Sequence, residues 1–173
     1  MAENLRIPGR LAVRTPMQWT AADNGGFSKA QKRRLIRPLP DGLYGPERVN
    51  AADQRHDHQS FCWFMRNLIY TYRQQPEIGW STAEVLKQPN PAVLAHVCRE
   101  KSGWAMVALH NFGAEGCIVP VQLEGAPPGC TLVDLLDDLS EHELDTKCSV
   151  DVGLEPYGYR WLRLRRPDDQ PII

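Results

Sequence analysis

Val93-Leu94-Ala95-His96-Val97-Cys98-Arg99-Glu100-Lys101-Ser102-Gly103-Trp104-Ala105-Met106-Val107-Ala108-Leu109-His110-Asn111 is the stretch that decides the fold. Two short apolar runs flank a break at Lys101-Ser102-Gly103, the pattern of paired strands rather than of one helix. The same texture continues on both sides. Candidate strands fall at 83–86, 93–98, 105–111, 117–122, 132–134, 149–152 and 159–164. Between them stand Pro89-Asn90-Pro91, Gly113, Gly116, Pro127-Pro128-Gly129 and Pro156. Short strands at this spacing predict a mainly β chain, an antiparallel β-sandwich or Greek key over residues 79–166. The polar tail, 167–173, is expected to fray. No internal repeat or low-complexity tract is present.

Upstream, the periodicity changes. Phe61, Phe64, Met65, Leu68, Ile69 and Tyr72 follow at i, i+3, i+4, i+7, i+8 and i+11, one face of a helix. Ser60 is placed to cap it, and Pro76 disfavours helical geometry at the residue before it. A single α-helix over 60–75, within a segment 59–78, is predicted. Residues 1–58 read differently. Proline and glycine punctuate them too often for long elements, and only a turn of helix near 30–35 is expected. Trp19, Phe27 and Tyr44 argue against plain disorder, so an ordered loop on a scaffold is expected.

Composition narrows the function. A chain of 173 residues is long enough to bury a core but short of a complete (β/α)₈ barrel, which needs roughly 200 residues or more. Lys plus Arg (20) nearly balances Asp plus Glu (21), leaving no electrostatic case for nucleic acid or an anionic membrane. No apolar run approaches the roughly 18 residues of a membrane span. The five cysteines, Cys62, Cys98, Cys117, Cys130 and Cys148, show no CxxC or zinc spacing and read as free thiols of a cytoplasmic protein.

Several motifs carry a resemblance. Arg14-Thr15-Pro16-Met17-Gln18-Trp19 is followed by Asn24-Gly25-Gly26-Phe27-Ser28. Beyond lie Tyr44-Gly45-Pro46 to Gln54, then Arg73 to Gly79 with Pro76-Glu77-Ile78-Gly79, then Leu109-His110-Asn111-Phe112 and Pro156-Tyr157-Gly158-Tyr159-Arg160-Trp161-Leu162. Together they resemble the C-terminal part of the α-amylase clan, glycoside hydrolase family 13, on its trehalose synthase and α-glucosidase side. The resemblance implies that residues 1–58 correspond to the eighth βα loop of a (β/α)₈ barrel. Residues 59–78 would then be its last helix and 79–166 the C-terminal β-sandwich. Met1 falls where the family has a methionine after the eighth strand, so the chain is expected to be a fragment, from a truncated gene or an internal start.

The family's catalytic carboxylates stand at strands that precede this region, roughly 5 Å apart across the glycosidic bond. No catalytic residue, cofactor or metal is therefore expected here, and the chain alone is expected to be inactive. A complete enzyme of this kind would turn maltose into trehalose through a covalent glucosyl intermediate, with hydrolysis as a side reaction. Arg14 and Gln18 offer donors for sugar hydroxyls, and Trp19 and Phe27 offer flat faces for pyranose rings. These four are the candidate substrate-binding residues, although Trp19 and Met17 read first as packing the loop onto the barrel, and Arg14 and Gln18 are evenly balanced between a structural role, such as bracing through a carboxylate, and sugar contact. Expected partners are α-glucoside sugars such as maltose and trehalose, and either the missing barrel half or a second copy to cover the apolar helix face.

Other features read as structural. His56-Asp57-His58 lacks a third ligand and reads as a solvated approach to the helix. His96 and His110 sit in strand patterns, where partly buried histidines are usual. Asp137-Asp138, Glu141, Glu143 and Asp145 lack the ligand spacing of a calcium loop and read as a charged solvent face. Lys32-Arg33-Arg34 reads as a solvated turn. Two alternatives are a hydrolase fragment of α-glucosidase or α-amylase type, and a stand-alone glucan-binding or structural sandwich presenting Trp80, Trp104, Tyr157 and Tyr159, at least half of which are expected in the core.

Overall fold

The computed structural model describes residues 14–137 and 139–169. The start of the resembling stretch before Arg14, Asp138 of the acidic run and the tail from Gln170 lie outside the described residues. The chain forms two compact units, Met1–Asn67 and Leu68–Ile173.

The second unit contains the sandwich. Among the described residues eight strands follow in order: β1 (Thr82–Leu86), β2 (Val93–Arg99), β3 (Ala105–Asn111), β4 (Cys117–Gln122), β5 (Thr131–Asp134), β6 (Glu141–Glu143), β7 (Ser149–Leu154) and β8 (Tyr159–Arg165). Six make one antiparallel sheet in the order β1-β2-β3-β8-β5-β6, and β4 pairs with β7 in a second. The period-two pattern sets the core between them. Ala95, Val97, Val107, Leu109, Leu162 and Leu164 of the large sheet are buried in one cluster with Val119, Val121, Val152 and Leu154 of the small one. Each such large side chain contributes roughly 1.5–3 kcal/mol on burial. Pro120 sits in β4, which has a partner on one side only, where a missing N–H costs no ladder bond.

Three features depart from the sequence-based expectations. Glu141-His142-Glu143 forms the edge strand β6, too short and too polar to show a strand pattern, although Glu141 and Glu143 are exposed as expected. Among the described residues the expected single helix is one of three α-helices. The helix α2 (Phe61–Arg73) matches the prediction, but α1 (Ala51–His56) precedes it and α3 (Pro76–Trp80) follows. Pro76 ends one helix and opens the next, because at the first position its missing N–H has no intrahelical partner to lose. None of Trp80, Trp104, Tyr157 and Tyr159 is buried, so the expectation that half are core is overturned.

Trp104 instead lies under two guanidinium groups, Arg163 at 4.7 Å and Arg166 at 5.4 Å from the ring centroid. Arg163 also anchors α3. Its Nε and Nη2 donate to Oε1 of Glu77 at 3.0 and 2.8 Å, and Glu77 is fully buried. The short helix is thereby fixed to β8 by an ion pair rather than by apolar area.

In the first unit, residues 14–50 form turns and short 3-10 segments, and helices follow from Ala51. Ser60 caps α2 as expected, its hydroxyl accepting from Trp63 N at 3.2 Å and donating to the Gln54 carbonyl at 2.7 Å. His58 packs on the Trp63 ring, with centroids 4.1 Å apart, while His56 is the last residue of α1. The turn expected near 30–35 is a 3-10 turn, Lys32–Arg34. No residue of α2 is buried, and Phe61, Phe64, Ile69 and Tyr72 of its predicted apolar face are exposed.

Candidate functional site

The two motifs of the first unit are knitted together through backbone. Asn24, Gly25 and Gly26 all have positive φ, at 53°, 64° and 68°. This left-handed run brings the Gly25 carbonyl to Trp19 N (2.7 Å) and Thr20 N (3.1 Å). A Cβ on Gly25 would press on Gln18 Cα at 3.3 Å and one on Gly26 would displace the Thr20 Oγ1 hydroxyl at 2.6 Å, so crowding adds to the preference for glycine that positive φ sets at both positions. Asn24 fixes the far side, its Nδ2 donating to the Ser28 and Ala30 carbonyls at 2.8 and 2.7 Å.

The other side of this segment closes α1. Ala51 N donates to the Gln18 carbonyl at 2.9 Å and Ala52 N to that of Trp19 at 3.0 Å. Asn50 caps the same turn, accepting from Asp53 N at 2.9 Å, while its Nδ2 donates to the Pro46 carbonyl at 2.9 Å. The first amides of the helix are thus all paired, leaving no anion site at that end.

The predicted site residues divide in this frame. Gln18 turns inward, donating through Nε2 to the carbonyls of Val49 (2.7 Å) and Tyr44 (3.1 Å). Arg14 is exposed. Trp19 is 47% exposed and Phe27 52%, so both rings keep a face toward solvent. An open hollow lies within this unit, walled by parts of 21–32 and 39–48. Phe27 lines it, beside Asp23, Asn24, Lys29, Asp41 and Arg48, whereas Arg14, Gln18 and Trp19 do not. An aromatic wall with mixed charges around it has the chemistry to hold a hydroxylated ligand.

Sequence reasoning missed several polar anchors. Asn50 was signalled by the Asn-x-x-Asp spacing of a cap with an acidic third residue. Glu77 and Arg163, 86 residues apart, gave no local signal. Arg160 was also missed. Its guanidinium lies 3.2 Å from Asp134, 2.9 Å from Glu155 and 3.8 Å from Asp137. Burial pushes the Asp134 carboxyl above its usual range, against the pull of Leu136 N–H and Arg160. Burial likewise raises the Cys130 thiol, which disfavours the reactive thiolate. Among the described residues no three His, Cys, Asp or Glu side chains converge as a metal site, and no helix is long and apolar enough to cross a membrane.

Known proteins match this chain in sequence and in fold. The family model for the sucrose hydrolase-like C-terminal domain matches residues 103–163. The trehalose synthase of a Pimelobacter species is 32% identical over 192 aligned positions, covering 100% of this chain and 31% of the relative. The trehalose synthase/amylase TreS of Mycolicibacterium smegmatis is 28% identical, covering 99% of this chain and 30% of the relative. The chain therefore spans about a third of the length of the curated relatives it matches. The solved trehalulose synthase MutB of Pseudomonas mesoacidophila superposes with a TM-score of 0.64 at 21% identity, over 91% of this chain and 26% of that one. Trehalose-6-phosphate hydrolase of Bacillus licheniformis gives 0.64 at 18% identity, over 94% of this chain and 27% of that one, a likeness of fold. Sequence along the whole chain and the sandwich fold agree, and the chain is a homologue of the C-terminal part of trehalose synthases and related enzymes of glycoside hydrolase family 13.

Proposed function

We propose that this chain serves as the C-terminal portion of a trehalose synthase-like enzyme that converts maltose to trehalose by intramolecular transglucosylation. The reading is carried by the match to trehalose synthases along the full chain. In this reading residues 1–58 are the last barrel loop, 59–78 the last barrel helix, 79–166 the sandwich and 167–173 the tail. The catalytic carboxylates come from barrel strands, so the chain alone turns over no sugar. Arg14, Gln18, Trp19 and Phe27 belong to the loop that walls the sugar site, with Phe27 facing the ligand and Gln18 holding the wall's shape. Five free cysteines fit a reducing cytoplasm.

The uncovered face of α2 supports the same reading, since its exposed Phe61, Phe64, Ile69 and Tyr72 are prepared for burial. A barrel is the proposed cover. Without one, self-association through this helix is expected, visible by light scattering as a mass above the monomer.

The decisive experiment replaces the corresponding third of the Pimelobacter trehalose synthase with this chain and supplies maltose. Trehalose is expected from the chimera, and none from this chain alone or from the shortened relative. A folded chimera that releases only glucose would favour the α-glucosidase alternative. Trehalose formed by the isolated chain would overturn the claim that it is not catalytic alone.

A further inference from the structure

We propose that the turn Glu155-Pro156-Tyr157-Gly158, with Phe112 on the adjoining turn, is a binding site for α-linked glucose oligomers on the sandwich. Gly158 N donates to the Glu155 carbonyl at 2.9 Å, Pro156 occupies the second position and Tyr157 the third, with φ at 56°. This is a type II turn, whose third position favours glycine or asparagine. A bulky aromatic there is a steric outlier. The glycine stands one residue later, where a Cβ would lie 2.9 Å from both N and O of Glu155. Tyr157 is 68% exposed as a residue, so burial does not offset the backbone strain. A strained residue that presents its ring to solvent points to a role for the ring itself.

The mount is rigid. Asn111, buried at the end of β3, donates from Nδ2 to the carbonyls of Glu115 (2.8 Å) and Glu155 (2.9 Å) and accepts from Gly113 N at 2.9 Å. Tyr157 N donates to the Gly113 carbonyl at 3.0 Å, and Asn111 N to that of Gly158 at 2.8 Å. These bonds stitch together the two turns that carry Tyr157 and Phe112, the latter 66% exposed.

The polar neighbours have the right chemistry. Arg160 holds Glu155 through two contacts, at 2.9 and 3.2 Å, and approaches Asp137 at 3.8 Å. The side chains of Glu155 and Asp137 are 64% and 58% exposed, so their carboxylates can accept from further donors in solvent. Flat rings beside fixed carboxylates suit a pyranose, whose C–H face stacks while its hydroxyls donate. The choice of α-linked glucose rests on the proposed α-glucoside chemistry.

The test is calorimetric titration with maltoheptaose, and electrophoresis in glycogen-containing gels, on the full chain and three variants. Wild type is expected to bind. Tyr157→Gly removes ring and strain together, so affinity should fall about tenfold while the thermal midpoint holds or rises. Tyr157→Phe should retain binding, and Phe112→Ala should weaken it. Wild-type affinity in Tyr157→Gly, or no heat and no retardation with wild type, would overturn the proposal. Either result leaves trehalose formation by the chimera to be judged separately.

Discussion

The loop unit and the sandwich are held by different forces. In the sandwich, alternating strands bury an apolar cluster in which Val97, Leu109, Val121, Leu132 and Leu162 have no exposure at all. In the loop unit, Met17, Trp19, Phe27, Leu43 and Tyr44 remain exposed, and the shape is set by side-chain amides on backbone carbonyls. One region contains its own reason to fold. The other has a defined shape and leaves its apolar side chains exposed.

The largest effects should appear in the sandwich core. Leu162→Ala is expected to destabilise by about 3 kcal/mol, because it leaves a cavity between two sheets that cannot collapse. A loss below about 1 kcal/mol in chemical denaturation would break the contrast. Next comes Arg163→Ala, which strands the buried Glu77 carboxylate. About 2 kcal/mol is expected, less than for a fully buried pair because Arg163 keeps some solvent contact. The double variant Glu77→Leu with Arg163→Leu should recover most of it.

Substitutions in the loop unit should be smaller and confined to it. Gly25→Ala faces both a positive φ and the Gln18 backbone, and about 1–2 kcal/mol of local destabilisation is expected. Asn50→Ala removes a cap, at about 1 kcal/mol. Both should speed proteolysis within residues 14–58 without moving the sandwich's unfolding midpoint. A matching drop in both would show one cooperative unit.

The smallest effect is a pH dependence at His110. Burial, and then the nearby His96, holds its pKa below the ordinary 6.5. The unfolded chain takes up that proton more readily, so stability should be full above about pH 6.5 and decline as pH falls toward the lowered folded value. His110→Gln should flatten that decline in thermal scans.

The contrast also explains what was legible in the sequence. Strand alternation and helix periodicity are local signals, so β3 and β4 match the expected 105–111 and 117–122, and α2 lies within 60–75. Elements made by tertiary pairing left little trace. The edge strand β6 has three residues and gains its geometry from β5, and α3 depends on an ion pair across 86 positions. In the loop the motif residues were visible, but their roles were not. The Gln18 side chain was expected to offer donors to a sugar, whereas in the fold Nε2 serves the carbonyls of Tyr44 and Val49, 26 and 31 residues away. The left-handed Tyr157 was hidden because Pro-Tyr-Gly reads as an ordinary turn with its glycine in place.

Native-state hydrogen exchange on the isolated chain tests the contrast most directly. Amides of β2, β3 and β8 should exchange only through global unfolding, while those of α2 and the 14–58 loop exchange far faster in the monomer. Addition of a barrel half should then slow α2 selectively. A monodisperse monomer whose α2 amides are as protected as the sandwich strands would contradict it, since that helix would need no further cover.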